Sequence, residues 1–291
     1  MAGAEPPTIR FTYLDTPHGR VHAAVCEPAS PVGPPVVLLH QTPRSWDEYR
    51  EVLPLLGARR RVIALDTLGH GASDPPADHT IEAYSQGIRS ALHVLGIGRY
   101  DLVGHHTGGV VAALVAAQAP DAVRALVLSS TPWVDEAGRA ARAARPHTLD
   151  AVTPVMDASH LVELWQGRRD FYPPDRPDLV DRFIVDALRA DDGPRGHRAV
   201  AEARMERWVA DVAAPVLLVG HAQDPHAFPD VARLRHALQA CGVSVAEKVI
   251  ARGMVPLEHT ATDFADVVET FLAAIDSDAD DRGRRAPAEG V

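Results

Sequence analysis

One histidine, His106, occupies a position from which a catalytic side chain is usually presented. Residues 100–120 read YDLVGHHTGGVVAALVAAQAP, which predicts a buried strand, a tight turn and a helix. Gly104 and Gly108 flank the turn in the pattern Gly-x-nucleophile-x-Gly, whose centre is normally a serine, a cysteine or an aspartate. An imidazole is instead suited to proton transfer near neutral pH. The segment therefore predicts either acid–base chemistry at His106 or a motif that is kept for packing alone.

Strand and helix patterns alternate on both sides of this turn. Short β-type runs read IRFTYL, RVHAAVCE, PPVVLLH, RVIALD, YDLVG, ALVLSS, APVLLVG and VSVAEKVI, and the first two form a hairpin pattern around DTPHG. Helical patterns cover residues 46–57, 80–95, 107–119, 229–240 and 262–275. This alternation predicts an α/β fold with a mostly parallel eight-stranded sheet and helices on both faces.

One long interval departs from the alternation. Residues 130–214 have helical periodicity and no convincing strand. We expect them to form a helical cap inserted over the carboxyl ends of the strands, where α/β sheets bind ligands. The α/β core would then consist of residues 1–129 and 215–275. Residues 276–291 are charged, small and proline-containing, which predicts a disordered tail.

Five segments occur in an order that resembles the α/β-hydrolase superfamily. They are VVLLHQTPRSW, LDTLGHGASD, LVGHHTGG, PVLLVGHAQDP and GMVPLEHTATDFADVVETFL. The resemblance covers residues 10–275 and implies the fold of that superfamily. The alternative, a Rossmann-type dinucleotide fold, is disfavoured because no Gly-x-Gly-x-x-Gly follows the first parallel strand.

The resemblance implies a catalytic site that departs from the usual triad. It assigns the triad acid to Asp224, whereas His106 stands at the nucleophile position and Met254 stands where the catalytic histidine is usual. The amides of Thr42 and Thr107 match the two donors of the oxyanion hole. An ordinary Ser-His-Asp acyl-enzyme mechanism is therefore excluded at these positions.

A direct contact between His106 and Asp224 is sterically reasonable. An imidazole on the turn projects further than a serine hydroxyl, into the space that no second ring fills at Met254. The acid would then orient His106 as a general acid or base, which contributes roughly 10² to 10⁴ in rate. The competing interpretation is that His106 only fills the floor of a pocket that has lost its chemistry.

Four side chains are predicted to contact a substrate. Gln41 replaces a usual glycine, and its amide either reaches the substrate or holds its own loop. Trp133 follows a strand end and Tyr172 lies beside prolines, although core packing between cap helices is the commoner explanation for most aromatic residues of this interval. Met254 is expected to line the same space as His106.

Composition restricts the partners. The net charge is −10 with no clustered basic face, which argues against nucleic acid and anionic membranes. Two cysteines cannot build a disulfide framework, and no signal peptide or membrane-length apolar run is visible, so we expect a cytoplasmic protein. The 15 histidines lack metal-binding spacing, so neither a metal nor a cofactor is expected. A homodimer is expected on base rates.

The function predicted from the sequence is a cofactor-independent enzyme that acts on a small organic molecule. His106 would serve as general acid or base in hydrolysis, or in a lyase, cyclase or isomerase step. The first alternative is a non-catalytic small-molecule receptor that reuses a hydrolase fold. The second is a conventional hydrolase with a relocated triad, for which Ser45, Ser73 and Ser85 are the nearby serines.

Overall fold

The computed structural model describes residues 7–143, 150–255 and 257–285. One eight-stranded sheet runs through the molecule in the order β1-β2-β4-β3-β5-β6-β7-β8. The strands are β1 (Arg10–Thr16), β2 (Gly19–Cys26), β3 (Val36–Leu39), β4 (Val62–Leu65), β5 (Tyr100–His105), β6 (Val123–Ser129), β7 (Val216–His221) and β8 (Val245–Ile250). Strand β2 pairs antiparallel with β1 and β4, and the other neighbours are parallel. The predicted fold class is confirmed.

Helices cover both faces of the sheet. They are α1 (Val52–Gly57), α2 (Ile81–Val94), α3 (Thr107–Gln118), α4 (Glu136–Ala143), α5 (Ser159–Arg168), α6 (Pro177–Arg189), α7 (Gly193–Glu202), α8 (Met205–Trp208), α9 (Val231–Ala240) and α10 (Ala261–Arg285). Strands β3 to β7 are buried almost throughout, as the apolar runs predict, because helices pack on both of their faces. One core cluster includes α2 and α3, and the opposite cluster includes α1 and α10.

Helices α4 to α8 all lie between β6 and β7, in the interval predicted as the cap. The described residues of this interval contain helices and no strand. A separate small cluster, in which Tyr172 packs with Leu179, Val180 and Phe183, joins the loop after α5 to α6. The interval therefore has some apolar packing of its own.

The C-terminal helix differs from the expectation for this end of the chain. Helix α10 continues to Arg285, so residues 276–285 of the predicted disordered tail are helical, and residues 286–291 lie outside the described part. Asp276 explains the start of this extension, because its carboxylate accepts hydrogen bonds from Arg60 at 2.8 Å and from Arg124. Sequence patterns cannot show such ion pairs between distant segments.

The turn between β5 and α3 places His106 at the carboxyl edge of the sheet. His106 has φ 47° and ψ −113°, a conformation that costs energy for a residue with a side chain. A Cβ on Gly104 would lie 2.2 Å from the Gly108 oxygen, and a Cβ on Gly108 would lie 2.0 Å from the Leu39 oxygen. The two glycines therefore allow strand and helix to meet closely enough to form the sharp turn.

We predict that Gly104→Ala lowers the free energy of unfolding by about 3 kcal/mol, because backbone atoms must move to admit the methyl group. Gly98→Ala is the matched control, since a Cβ there meets no atom within 4 Å, and it should change stability by less than about 1 kcal/mol. Urea unfolding followed by circular dichroism measures both values. Equal stability of the two variants would contradict the close-packing explanation.

Candidate active site

His106 and Asp224 are in contact, and they lie in the segments that follow the carboxyl ends of β5 and β7. The Nε2 atom of His106 is 2.8 Å from Oδ2 of Asp224, and the Asp224 side chain is buried. Neither atom has a well-directed hydrogen bond to the described residues, so this is a close contact whose angle misses hydrogen-bond alignment.

Asp224 is held in its charged form by its surroundings. Burial by itself raises the pKa of this carboxyl, and the adjacent His106 acts in the opposite direction. The other carboxylate oxygen, Oδ1, accepts hydrogen bonds from the backbone amides of His226 at 2.9 Å and Ala227 at 3.2 Å. Together these contacts hold the pKa of Asp224 well below its usual range. Asp224 is therefore a fixed negative charge beside the imidazole.

The other side of the His106 ring faces a cavity of about 290 Å³. The His106 side chain is 13% exposed, whereas its Nε2 atom is sealed against Asp224. The ring nitrogen left to meet a ligand is Nδ1. A larger cavity, of about 430 Å³, shares only Ala201 with this one among the described lining residues, and it is lined by none of the predicted site residues. We therefore assign the smaller cavity as the candidate site.

The two predicted oxyanion donors both border this cavity but are not equivalent. The Thr42 amide donates to the Thr107 hydroxyl at 3.3 Å. The Thr107 amide, at the first position of α3, has no hydrogen-bond partner among the described residues. One donor is therefore open to a ligand, and the other becomes open if the Thr107 side chain rotates.

Gln41 lines the cavity, and its side chain is held by a hydrogen bond to Glu48. Its backbone amide donates to Glu48 Oε2 at 2.9 Å, and its side-chain Nε2 donates to Glu48 Oε1. The structure thus favours the loop-holding interpretation of Gln41. Burial raises the pKa of Glu48 to about 8, with Glu258 adding to the effect and Arg44 opposing it.

Trp133, Tyr172 and Met254 do not line the cavity, unlike the prediction for these residues. The Trp133 indole donates to Asp135 at 2.9 Å and packs into the core. Tyr172 is buried in the small cluster defined above, where its hydroxyl accepts from Arg44 at 3.4 Å. Aromatic packing, the competing explanation, accounts for both side chains.

Two buried histidines donate hydrogen bonds to the backbone of the loop at Met254. His221 Nδ1 donates to the Met254 carbonyl at 3.2 Å, and His105 Nε2 donates to the Val255 carbonyl at 2.7 Å. Burial lowers the pKa of His105 well below its usual value and that of His221 to about 4, so both rings are neutral. With the loop held in this way, Val255 lines the cavity and Met254 does not.

Among the cavity residues that were not predicted as site residues are two arginines and two histidines. Arg142 and Arg168 come from α4 and α5, His197 comes from α7, and His226 follows Asp224 by two residues. The proximity of His226 to Asp224 in the sequence was the one available signal. The others are brought in by the packing of helices whose positions no sequence pattern specifies.

Among the described residues, no group of three or more histidine, cysteine, aspartate or glutamate side chains is arranged to hold a metal ion. Within the same part of the chain, no helix is both long enough and apolar enough to cross a membrane.

Comparisons with known proteins agree with this architecture. A family model described as the alpha/beta hydrolase fold matches residues 34–207. The chain belongs to the α/β-hydrolase-fold family. It is also similar to an enol-lactonase from Burkholderia xenovorans LB400, with a TM-score of 0.69, 20% identity and coverage of 90% of this chain and 100% of the other. At that identity the likeness concerns the fold alone.

Two curated relatives match part of the chain. An uncharacterised protein of Mycobacterium bovis is 40% identical over 130 residues, which are 44% of this chain and 36% of the relative. A haloalkane dehalogenase of Mycobacterium marinum is 35% identical over 153 residues, which are 51% of each chain. The chain thus aligns with about half or less of the length of each of these two relatives.

The raised pKa of Glu48 predicts a pH-dependent stability. Its contribution is fully present below about pH 4.5, the ordinary value, and is lost as the pH rises to about 8. Urea unfolding of the wild type should therefore show a component of up to about 1.4 kcal/mol per pH unit within this window. In Glu48→Gln this component should disappear, while the offset between the two proteins stays constant below pH 4.5. Parallel stability curves from pH 4 to 8 would contradict the prediction.

Proposed function

We propose that this protein is an enzyme that acts on a small organic molecule by acid–base chemistry, with His106 as the general acid or base. The observation that carries the proposal is the placement of the His106 ring between an ionised carboxylate and a cavity. Asp224 lies 2.8 Å from Nε2, and the His106 side chain lines the cavity. The reaction is a hydrolysis, or a lyase, cyclase or isomerase step driven by proton transfer.

The carboxylate decides which ring nitrogen works. Asp224 favours a proton on Nε2, which leaves the lone pair on Nδ1. Nδ1 takes a proton from a water molecule or from the substrate, and the resulting imidazolium is stabilised by Asp224. The proton is returned from Nδ1 to the product or to the leaving group. No covalent bond to the enzyme forms in this scheme.

The amides of Thr42 and Thr107 support the same chemistry. When Nδ1 takes a proton from the carbon beside a carbonyl group, negative charge develops on the carbonyl oxygen as an enolate. When Nδ1 takes a proton from a water molecule whose oxygen bonds to the carbonyl carbon, the same oxygen becomes the anion of a tetrahedral adduct. The Thr107 amide is free to stabilise that oxygen, and the Thr42 amide joins it when the Thr107 hydroxyl turns away. This favours esters, lactones and other carbonyl compounds as substrates.

The similarity to a haloalkane dehalogenase does not carry that activity over. Displacement of a halide by an enzyme carboxylate needs an acidic residue at the centre of the turn, and this chain has His106 there. Alkylation of an imidazole would leave an N-alkyl histidine with no acyl carbon for water to attack. A direct water-mediated route is therefore the hydrolysis that His106 supports.

The helices between β6 and β7 act as a cap in this proposal. They supply Arg142, Arg168 and His197 to the wall of the cavity that His106 also lines. Water exclusion by such a cap strengthens the electrostatic interactions within the site.

The second candidate function is a non-catalytic small-molecule receptor. The engaged Thr42 amide and the misaligned contact between His106 and Asp224 favour it, because both would have to reorganise before catalysis. A receptor returns its ligand unaltered, which mass spectrometry after incubation would reveal.

Replacement of His106 tests the catalytic role. A panel of small esters, lactones, epoxides and haloalkanes first identifies a substrate that is turned over. We expect His106→Ala to lower kcat for that substrate by roughly 10² to 10⁴, with Asp224→Asn also reducing kcat. His236→Ala, an exposed histidine on α9, is the matched control and should retain full activity. Turnover by His106→Ala at the wild-type rate would exclude the proposal.

The absence of a covalent intermediate is a separate prediction. In a single turnover of an ester in ¹⁸O-labelled water, the acid product should carry the label and the enzyme should keep its mass throughout. A fluorophosphonate probe should label no serine, because the Ser45, Ser73 and Ser85 hydroxyls donate to Asp186, the Asp66 carbonyl and Gln118. An acylated or phosphonylated serine would instead support a relocated triad.

A further inference from the structure

The cavity beside His106 has an uneven distribution of charged side chains. Among its described lining residues are two arginines and three histidines, and none is an aspartate or a glutamate. These are Arg142, Arg168, His106, His197 and His226. Asp224 approaches the site, but it is taken up by His106 and by two backbone amides. A ligand in this cavity therefore meets positive groups and hydrogen-bond donors.

The Arg168 guanidinium is held in place by Asp150 and Phe183, and one of its nitrogen atoms makes no hydrogen bond to the described residues. Its Nε donates to Asp150 at 2.7 Å and its Nη2 contacts the same carboxylate. The guanidinium carbon lies 4.7 Å from the centroid of the Phe183 ring, and the side chain is only 8% exposed. Nη1 has no hydrogen-bond partner among the described residues and is not a sealed atom. Its two protons remain for a ligand.

The counter-charge of Arg168 is shared. His197 Nε2 also lies 2.9 Å from Asp150, so one carboxylate faces both groups. Arg142 is in a similar position, because Asp230 is 3.4 Å from Arg142 and 2.9 Å from Arg233. Neither arginine of the cavity wall therefore has a carboxylate to itself, which leaves both able to attract an anion.

We propose that the substrate carries a carboxylate, which Arg168 binds through Nη1 with Arg142 as the second cation, while the reacting carbon lies at His106 Nδ1. This inference rests on the proposed function for the identity of the reacting end. A singly charged carboxylate is preferred to a phosphate dianion because the carboxylates of Asp150, Asp224 and Asp230 lie beside the lining cations and repel a second negative charge. The cavity of about 290 Å³ suits a compact molecule.

Binding measurements test the proposal without requiring turnover. Phenylacetate and glutarate are compared with their amides, phenylacetamide and glutaramide, by ligand-observed NMR and calorimetry on wild type and His106→Ala. We expect each carboxylate to bind at least about tenfold more tightly than its amide to both proteins. Equal affinity within the pairs, no binding by either carboxylate, or tighter binding of inorganic phosphate would overturn the proposal.

Three variants localise the carboxylate. Arg168→Gln should weaken phenylacetate binding about tenfold, and Arg169→Gln, an exposed neighbour, should leave it unchanged. Asp150→Asn removes the shared counter-charge and should tighten binding, whereas a purely structural role of the pair with Arg168 would weaken it. Weaker binding by a folded Asp150→Asn protein, or equal effects of the two arginine variants, would contradict the inference.

The outcomes separate this inference from the proposed function. Carboxylate preference in a protein that turns over no compound would support the carboxylate site and favour the receptor. Turnover that depends on His106 but shows no carboxylate preference would support the acid–base enzyme and overturn the carboxylate site.

Discussion

The contact between His106 and Asp224 depends on two loops that are far apart in the sequence and meet at one edge of the sheet. Parallel pairing of β5, β6 and β7 places the turn after β5 and the loop after β7 on the same side. The close approach of strand and helix at Gly104 and Gly108 allows the sharp turn that presents the His106 ring at this edge. The backbone amides that follow Asp224 hold its carboxylate in place by hydrogen bonds. Every other feature of the site is arranged around this pair.

Charge is distributed differently behind the site and within it. Behind the loop that carries Gln41, the fully buried Arg44 contacts Asp186 and Glu258, so that the core, the interval between β6 and β7, and the last loop share one ionic network. Inside the cavity the cations have only shared partners. The buried network gives the wall a fixed position, and the cavity retains groups that attract a ligand.

Much of the fold could be predicted because it follows from local patterns. Apolar runs such as those of β3 and β7 become parallel strands because both of their faces are covered, and the glycines around His106 specify a tight turn. The residues of the cavity wall could be predicted much less well. Trp133 and Tyr172 were expected to line the cavity, but Trp133 packs in the core and Tyr172 packs in the small cluster with Phe183. Arg168 and His197 line the cavity instead, because the packing of their helices places them there.

The sequence by itself determined the fold and the turn that presents His106, since these depend on residue type and order. Only the tertiary structure decided that Nε2 of His106 faces Asp224, that the Thr42 amide is engaged by Thr107, and that Asp150 shares its charge between Arg168 and His197. The physical reason is that distances and angles between side chains arise from packing among distant segments. A local sequence pattern carries little information about such packing.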